Sequence, residues 1–138
     1  MVSKGCYHTC GCWSPTRAGV LFIAKSNGTI DIWDFMDQSH KWNMQYSVGS
    51  VGISSMRFHE NNANILAVGS QEGSLHILEL PFTLTRKIGD EDKTMSEFWN
   101  REIESVQYFN TRFEKRYEES QQERARLDME ERIRQQKE

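Results

Sequence analysis

Long apolar runs are missing from this chain. No stretch approaches the roughly 18 consecutive apolar residues of a membrane-spanning helix, so no helical span is expected. Met1 to Trp13 hold no apolar run of signal-peptide length, and a secretory leader is not expected either. An excess of one charge sign is missing too. The 17 Lys and Arg against 20 Asp and Glu leave a net charge of -3, whereas a nucleic-acid binder carries a basic surplus. Only three cysteines occur, Cys6, Cys10 and Cys12. An odd, crowded trio is no disulfide framework and fits a reducing compartment. A phosphate-cradling G-x-x-x-x-G-K-[ST] and a nucleophile elbow are both lacking, so no catalytic residue and no cofactor is expected.

What is present divides unevenly. Residues 1–88 hold eight of the nine glycines and both prolines, with 7 Lys and Arg against 6 Asp and Glu. Residues 89–138 hold 10 Lys and Arg against 14 Asp and Glu, one glycine and no proline. Gly and Pro punctuate turns, and their absence permits long helices. The expected organisation is a β-rich part over 1–88, an acidic linker over 89–94 and a helix over 95–138.

The β-rich part reads as short strands. Val20 to Ala24 is apolar, Ser26-Asn27-Gly28 signals a tight turn, and Thr29 to Asp34 alternates polar with apolar, which together make a hairpin. Trp42 to Val48 alternates again, and Val51, Ile53 and Met56 to Phe58 suggest a further strand. Ile65 to Gly69, a turn at Gln71-Glu72-Gly73, and Ser74 to Glu79 form a second hairpin. The two hairpins superimpose without a gap at an offset of 45 residues: Gly28 falls on Gly73, Ile32 on Ile77, Trp33 on Leu78, Asp34 on Glu79, and Trp13 on Phe58. An apolar strand, a Gly turn and a closing Trp-Asp pair at this period make the signature of a WD40 blade, a four-stranded antiparallel sheet packed between neighbours. The blades are degenerate, because Asn27 stands where Asp is usual and Leu78 replaces the Trp. Closed propellers take about 4–8 blades and this chain has room for two. The predicted fold is therefore mainly β with a C-terminal helix: two WD40-type antiparallel blades of an incomplete β-propeller, then a long charged α-helix. Trp13, Trp33, Phe58 and Ile77 are its expected blade core.

In the helical part Trp99, Ile103, Val106, Asn110, Phe113 and Tyr117 follow 4-3-4-3-4 spacing, and Phe98 and Phe109 widen the stripe. This face is expected to act as a strap over the chain's own sheet or to meet a partner. Beyond Tyr117 the seam passes through Ser120 and Arg124, too polar for a strong coiled coil, and 15 of the last 25 residues are charged.

Metal binding is the competing chemistry for Cys6, His8, Cys10 and Cys12. Alternation would put all four on one side of a strand, but neighbours about 6.6–6.8 Å apart on a flat strand cannot wrap a tetrahedral zinc ion. No metal site is expected there, nor a site at the scattered His40, His59 and His76.

The segment CWSPTRAGVLFIAKSNGTIDIWD (12–34) resembles the late blades of dynein intermediate chains, where a WSPTR turn precedes a strand, a Gly turn and a strand ending in Trp-Asp. With GSLHILELPFTLTRK (73–87) and FWNREIESVQYFNTRFEKR (98–116), the chain looks like the C-terminal part of a WD-repeat axonemal dynein intermediate chain of the inner-arm type. The resemblance implies a non-catalytic scaffold subunit in the cytoplasm and cytoskeleton, at the axoneme of the cilium. Its partners would be a dynein heavy chain and other dynein arm subunits, with no nucleic acid and no membrane. A generic WD-repeat adaptor working outside cilia is the competing expectation.

Overall fold

The computed structural model of the chain describes residues 5–135. Seven strands come first: β1 (His8–Trp13), β2 (Val20–Lys25), β3 (Thr29–Asp34), β4 (Met44–Ser47), β5 (Ile53–His59), β6 (Asn62–Ser70) and β7 (Leu75–Glu79). A single helical turn, α1 (Phe82–Thr85), and the 45-residue helix α2 (Glu91–Gln135) follow. The strands form two antiparallel sheets, in the order β1-β2-β3-β4 and β5-β6-β7. These are the two blades of an incomplete WD40 propeller, and the second is one strand shorter than the first. The chain divides into two compact units, one ending at Ser96 and one beginning at Glu97, so the first residues of α2 belong with the blades.

The 45-residue repeat is visible in the strand bounds. Shifted by that offset, β1, β2 and β3 fall on β5, on the second part of β6, and on β7. Both hairpins turn on a glycine with positive φ, Gly28 at 80° and Gly73 at 90°. Gly28 is required twice over, because a Cβ there would lie 2.7 Å from the Val51 carbonyl oxygen.

The two blades bury opposite faces of the same repeat. In blade 1 the buried side chains are Val20, Phe22 and Ala24 on β2 and Ile30 and Ile32 on β3. In blade 2 they are Leu66 and Val68, one residue out of step with that offset, together with Ile53. Strand side chains alternate between faces, so one face of blade 1 meets the other face of blade 2. The phenyl rings of Phe22 and Phe58 meet edge to face across this interface, with centroids 5.4 Å apart.

This parity corrects part of the expected core. Trp13 pairs with Leu21 and Ile77 with Ala67, on the faces that the blade interface does not use. Trp13 is 45% exposed and Ile77 is 60% exposed, so neither is a core residue. Phe58 is half-buried and packs against the core cluster. Trp33 is half-buried with its ring stacked near Phe35, and its indole Nε1 is buried with no hydrogen-bond partner among the described residues. The helix also begins earlier than expected, at Glu91 rather than near residue 95, which shortens the linker. Glu91 and Asp92 occupy its first turn, where negative side chains are favoured by the partial positive charge of a helix N-terminus.

Candidate functional site

The most densely connected polar group of the blade unit centres on Arg17, in the loop between β1 and β2. Ser14 shapes this loop: its Oγ accepts from the backbone N–H of Arg17 at 3.2 Å and of Thr16 at 3.4 Å. The turn aims Arg17 inward, where it is 2% exposed. Its Nε donates to Glu91 Oε1 and Oε2 at 3.2 and 3.3 Å, and its Nη1 to the Thr83 carbonyl oxygen at 2.9 Å. Asp34, closing β3, completes the cage, with Oδ2 3.0 Å from Nη1. Glu91 is fully buried and also accepts the Gly19 N–H at 3.0 Å. A side chain at position 19 would crowd this contact, because its Cβ would lie 3.1 Å from Glu91 Oε1 and 3.0 Å from Met36 Cγ.

One cation here faces two carboxylates. Burial works against the Arg17 charge, but the hydrogen bonds and charges of Glu91 and Asp34 outweigh it and raise the guanidinium above its ordinary value. The chemistry is that of a structural lock. It ties the first blade to α1 and to the first turn of α2, segments that lie beyond the second blade. Met95, one turn after Glu91, is buried as well.

Past Ser96 the helix presents the stripe read from the sequence. Ile103, Val106, Phe109, Phe113 and Tyr117 are each more than half exposed, with Phe113 at 71%. Trp99 is 44% exposed, and Phe98, half-buried, meets it edge to face with ring centroids 5.4 Å apart. Farther along, Arg126 pairs with Glu130 at 3.7 Å, an exposed pair that contributes little on its own.

The cysteines do not form a ligand set. A register shift between His8 and Cys10 breaks the alternation on β1, while Cys10 and Cys12 pack against the core. Burial, with a further contribution from Cys10, pushes the Cys12 thiol up to about 11. Among the described residues no group of three His, Cys, Asp or Glu is placed to hold a metal ion, and no helix is long and apolar enough to cross a membrane.

Of the expected blade positions, Phe58 packs against the core cluster while Trp13 and Ile77 are exposed, and of the expected helix positions Ile103, Val106, Phe109 and Phe113 are each more than half exposed. Sequence reasoning missed Arg17, Asp34 and Glu91 as a unit. Arg17 lies in the WSPTR segment and Glu91 in the acidic stretch, but 74 residues separate them, and nothing local joins them.

Comparison with known proteins shows what the chain is similar to. The family model of the WD40 domain of dynein axonemal intermediate chain 3 matches residues 1–80. The human dynein axonemal intermediate chain 3 is 31% identical over 107 residues, which are 76% of this chain and 12% of that protein. The ciliary dynein intermediate chain 3 of Heliocidaris crassispina is 30% identical over 106 residues, 77% of this chain and 18% of its own length. The 70 kDa intermediate chain of the flagellar outer arm of Chlamydomonas reinhardtii is 28% identical over 96 residues, covering 70% of this chain and 17% of that one. The chain therefore spans less than a fifth of the length of these relatives.

Proposed function

The chain belongs to the family of axonemal dynein intermediate chain WD40 domains, and from that premise we propose that it is a non-catalytic scaffold element of a ciliary dynein arm, part of the cytoskeleton at the axoneme. The blades hold α2 by its first turn, through Arg17 and Glu91. The stripe of Ile103, Val106, Phe109 and Phe113 is offered to a dynein heavy chain or a neighbouring arm subunit. The observation that carries this reading is the exposure of that stripe on a helix whose root is locked to the blades. Burying such side chains is worth about 1.5–3 kcal/mol each, so a partner covering several of them would bind firmly.

Within this proposal the arm is of the inner type, a reading supported by the resemblance of residues 98–116. An outer-arm role is the second reading, favoured by the relative whose name places it in the flagellar outer arm. Co-precipitation from ciliated cells tests both. The full chain is expected to bring down dynein heavy chains of one arm type, and the exchange of Ile103→Asp with Phe113→Asp should abolish recovery. Equal recovery by the double variant would remove the helix from the account. A partner set without dynein subunits would favour the generic adaptor.

A further inference from the structure

Of the two prolines in the chain, Pro15 alone follows a hydroxyl residue, Ser14, and Arg17 stands three places after that serine. Pro15 and Thr16 are exposed and Ser14 is half-buried, in the irregular loop between β1 and β2. The Ser14 backbone N–H donates to the Val20 carbonyl at 2.9 Å, which closes this loop. Its Oγ accepts from two backbone N–H groups, those of Thr16 and Arg17. Two converging N–H groups, with a guanidinium on the same turn, make the surroundings of this oxygen receptive to an anion. The cage that Arg17 enters is already rich in negative charge, because its guanidinium is divided between Glu91 and Asp34.

We propose that Ser14 is a phosphorylation site for a proline-directed kinase, and that its phosphate unfastens the first turn of α2 from the blades. Chemistry sets the kinase class: Pro15 has no N–H to be stranded in a substrate groove, and Arg17 supplies a cation three residues on. Such an enzyme takes its substrate extended, so it captures the loop when it opens and Arg17 leaves the cage. Transfer breaks the bond between the γ-phosphorus of ATP and its bridging oxygen, forms the Ser14 Oγ–P bond, and releases ADP and the hydroxyl proton. The product carries about -1.5 to -2 charges at pH 7. The phosphate holds Arg17 at the surface through charge-assisted hydrogen bonds, and its charge beside Asp34 and Glu91 opposes return to the closed loop. Glu91, fully buried, then loses the cation that compensates it, and the Gly19 N–H is too little to replace that cation. The switch goes beyond the scaffold role and does not rest on it, since it acts on the joint of blade and helix whatever covers the exposed stripe.

The full chain tests this with a purified proline-directed kinase of the cyclin-dependent class and Mg-ATP. Tandem mass spectrometry should place the phosphate on Ser14. Amide hydrogen exchange at Gly19, Thr94 and Met95 should then speed up by about tenfold or more, the factor that corresponds to about 1.4 kcal/mol of local stability. Strand β6 should keep its protection, and phosphatase treatment should restore slow exchange at the three amides. Ser14→Ala should take up no phosphate. Where that variant fails to fold, phosphorylation and dephosphorylation of the unsubstituted chain decide. A chain that takes up no phosphate at Ser14 overturns the proposal. Phosphate on Ser14 with unchanged exchange at the three amides overturns it too, and leaves Ser14 as a turn-forming residue only. Equal acceleration in β6 also overturns it, because the phosphate would then loosen the whole unit rather than the root of α2.

Discussion

Arg17 shows how much one side chain can hold when its partners come from three parts of a chain. Removing it would leave Glu91 fully buried and Asp34 with its ion pair broken. Breaking a buried pair by deleting one partner costs about 3–5 kcal/mol, because the remaining charge has lost its compensation. Arg17→Ala should therefore lower the urea midpoint strongly. Arg17→Lys should recover only part of the loss, since an ammonium cannot reach Glu91, Asp34 and the Thr83 carbonyl with a planar fork. Equal stability of Arg17→Ala and the parent chain would show that the lock is ornamental. Cys12 gives a residue-scale prediction in pH. Its thiol ionises near 11 in the fold and near 9.0 when unperturbed. Between those values the unfolded chain sheds a proton that the folded chain keeps, so stability present below pH 9.0 declines as pH rises toward 11. Urea midpoints measured across that window should fall, and Cys12→Ala should flatten the decline.

At the scale of elements, the strands were legible because their turn signals are strong. Gly28 and Gly73 both take positive φ, as the hairpin reading requires. Gly28→Ala should cost about 1–3 kcal/mol, since a Cβ must accept a strained φ and also meets the Val51 carbonyl. Gly73→Ala should cost less, because no atom lies within 4 Å of its added Cβ. Thermal melts of the two variants check the order, and a reversed order would contradict the close approach at Gly28. Which face of each strand is buried was not legible. Val20 to Ala24 is apolar at every position, so alternation carries no information there, and Trp13 and Ile77 fell on the wrong side. The helix start was misplaced for a related reason. An acidic stretch reads as solvated linker until a buried arginine is seen to meet it, and that arginine lies 74 residues away. The aromatic stripe of α2 was plain from its spacing, because helical periodicity is local.

For the blade unit as a whole, the decisive question is whether two sheets that share one interface fold as one. The core cluster draws on both blades, with Val20, Phe22 and Ile30 from the first and Ile53, Leu66 and Val68 from the second. Neither sheet has another buried core of its own among the described residues, since the faces away from this interface carry Trp13 and Ile77 in exposed positions. The apolar face of a sheet must be buried against another layer, and the cluster that covers the face of blade 2 is shared with blade 1. Blade 2 should then be unable to outlive blade 1. Phe22→Ala, at a 1% exposed site against Phe58, should cost about 3–5 kcal/mol, as large-to-small changes in a core do. That loss is a large share of the roughly 5–15 kcal/mol that holds a domain together. It should appear in both sheets at once: hydrogen exchange in β2 and in β6 should speed up together, and thermal unfolding should remain a single transition at lower temperature. Ile77→Ala, at an exposed site on blade 2, should change stability by only about 0.5 kcal/mol. If Phe22→Ala loosened β2 while β6 kept its protection, the blades would be independent units and the Arg17 lock, rather than the apolar interface, would be what joins them.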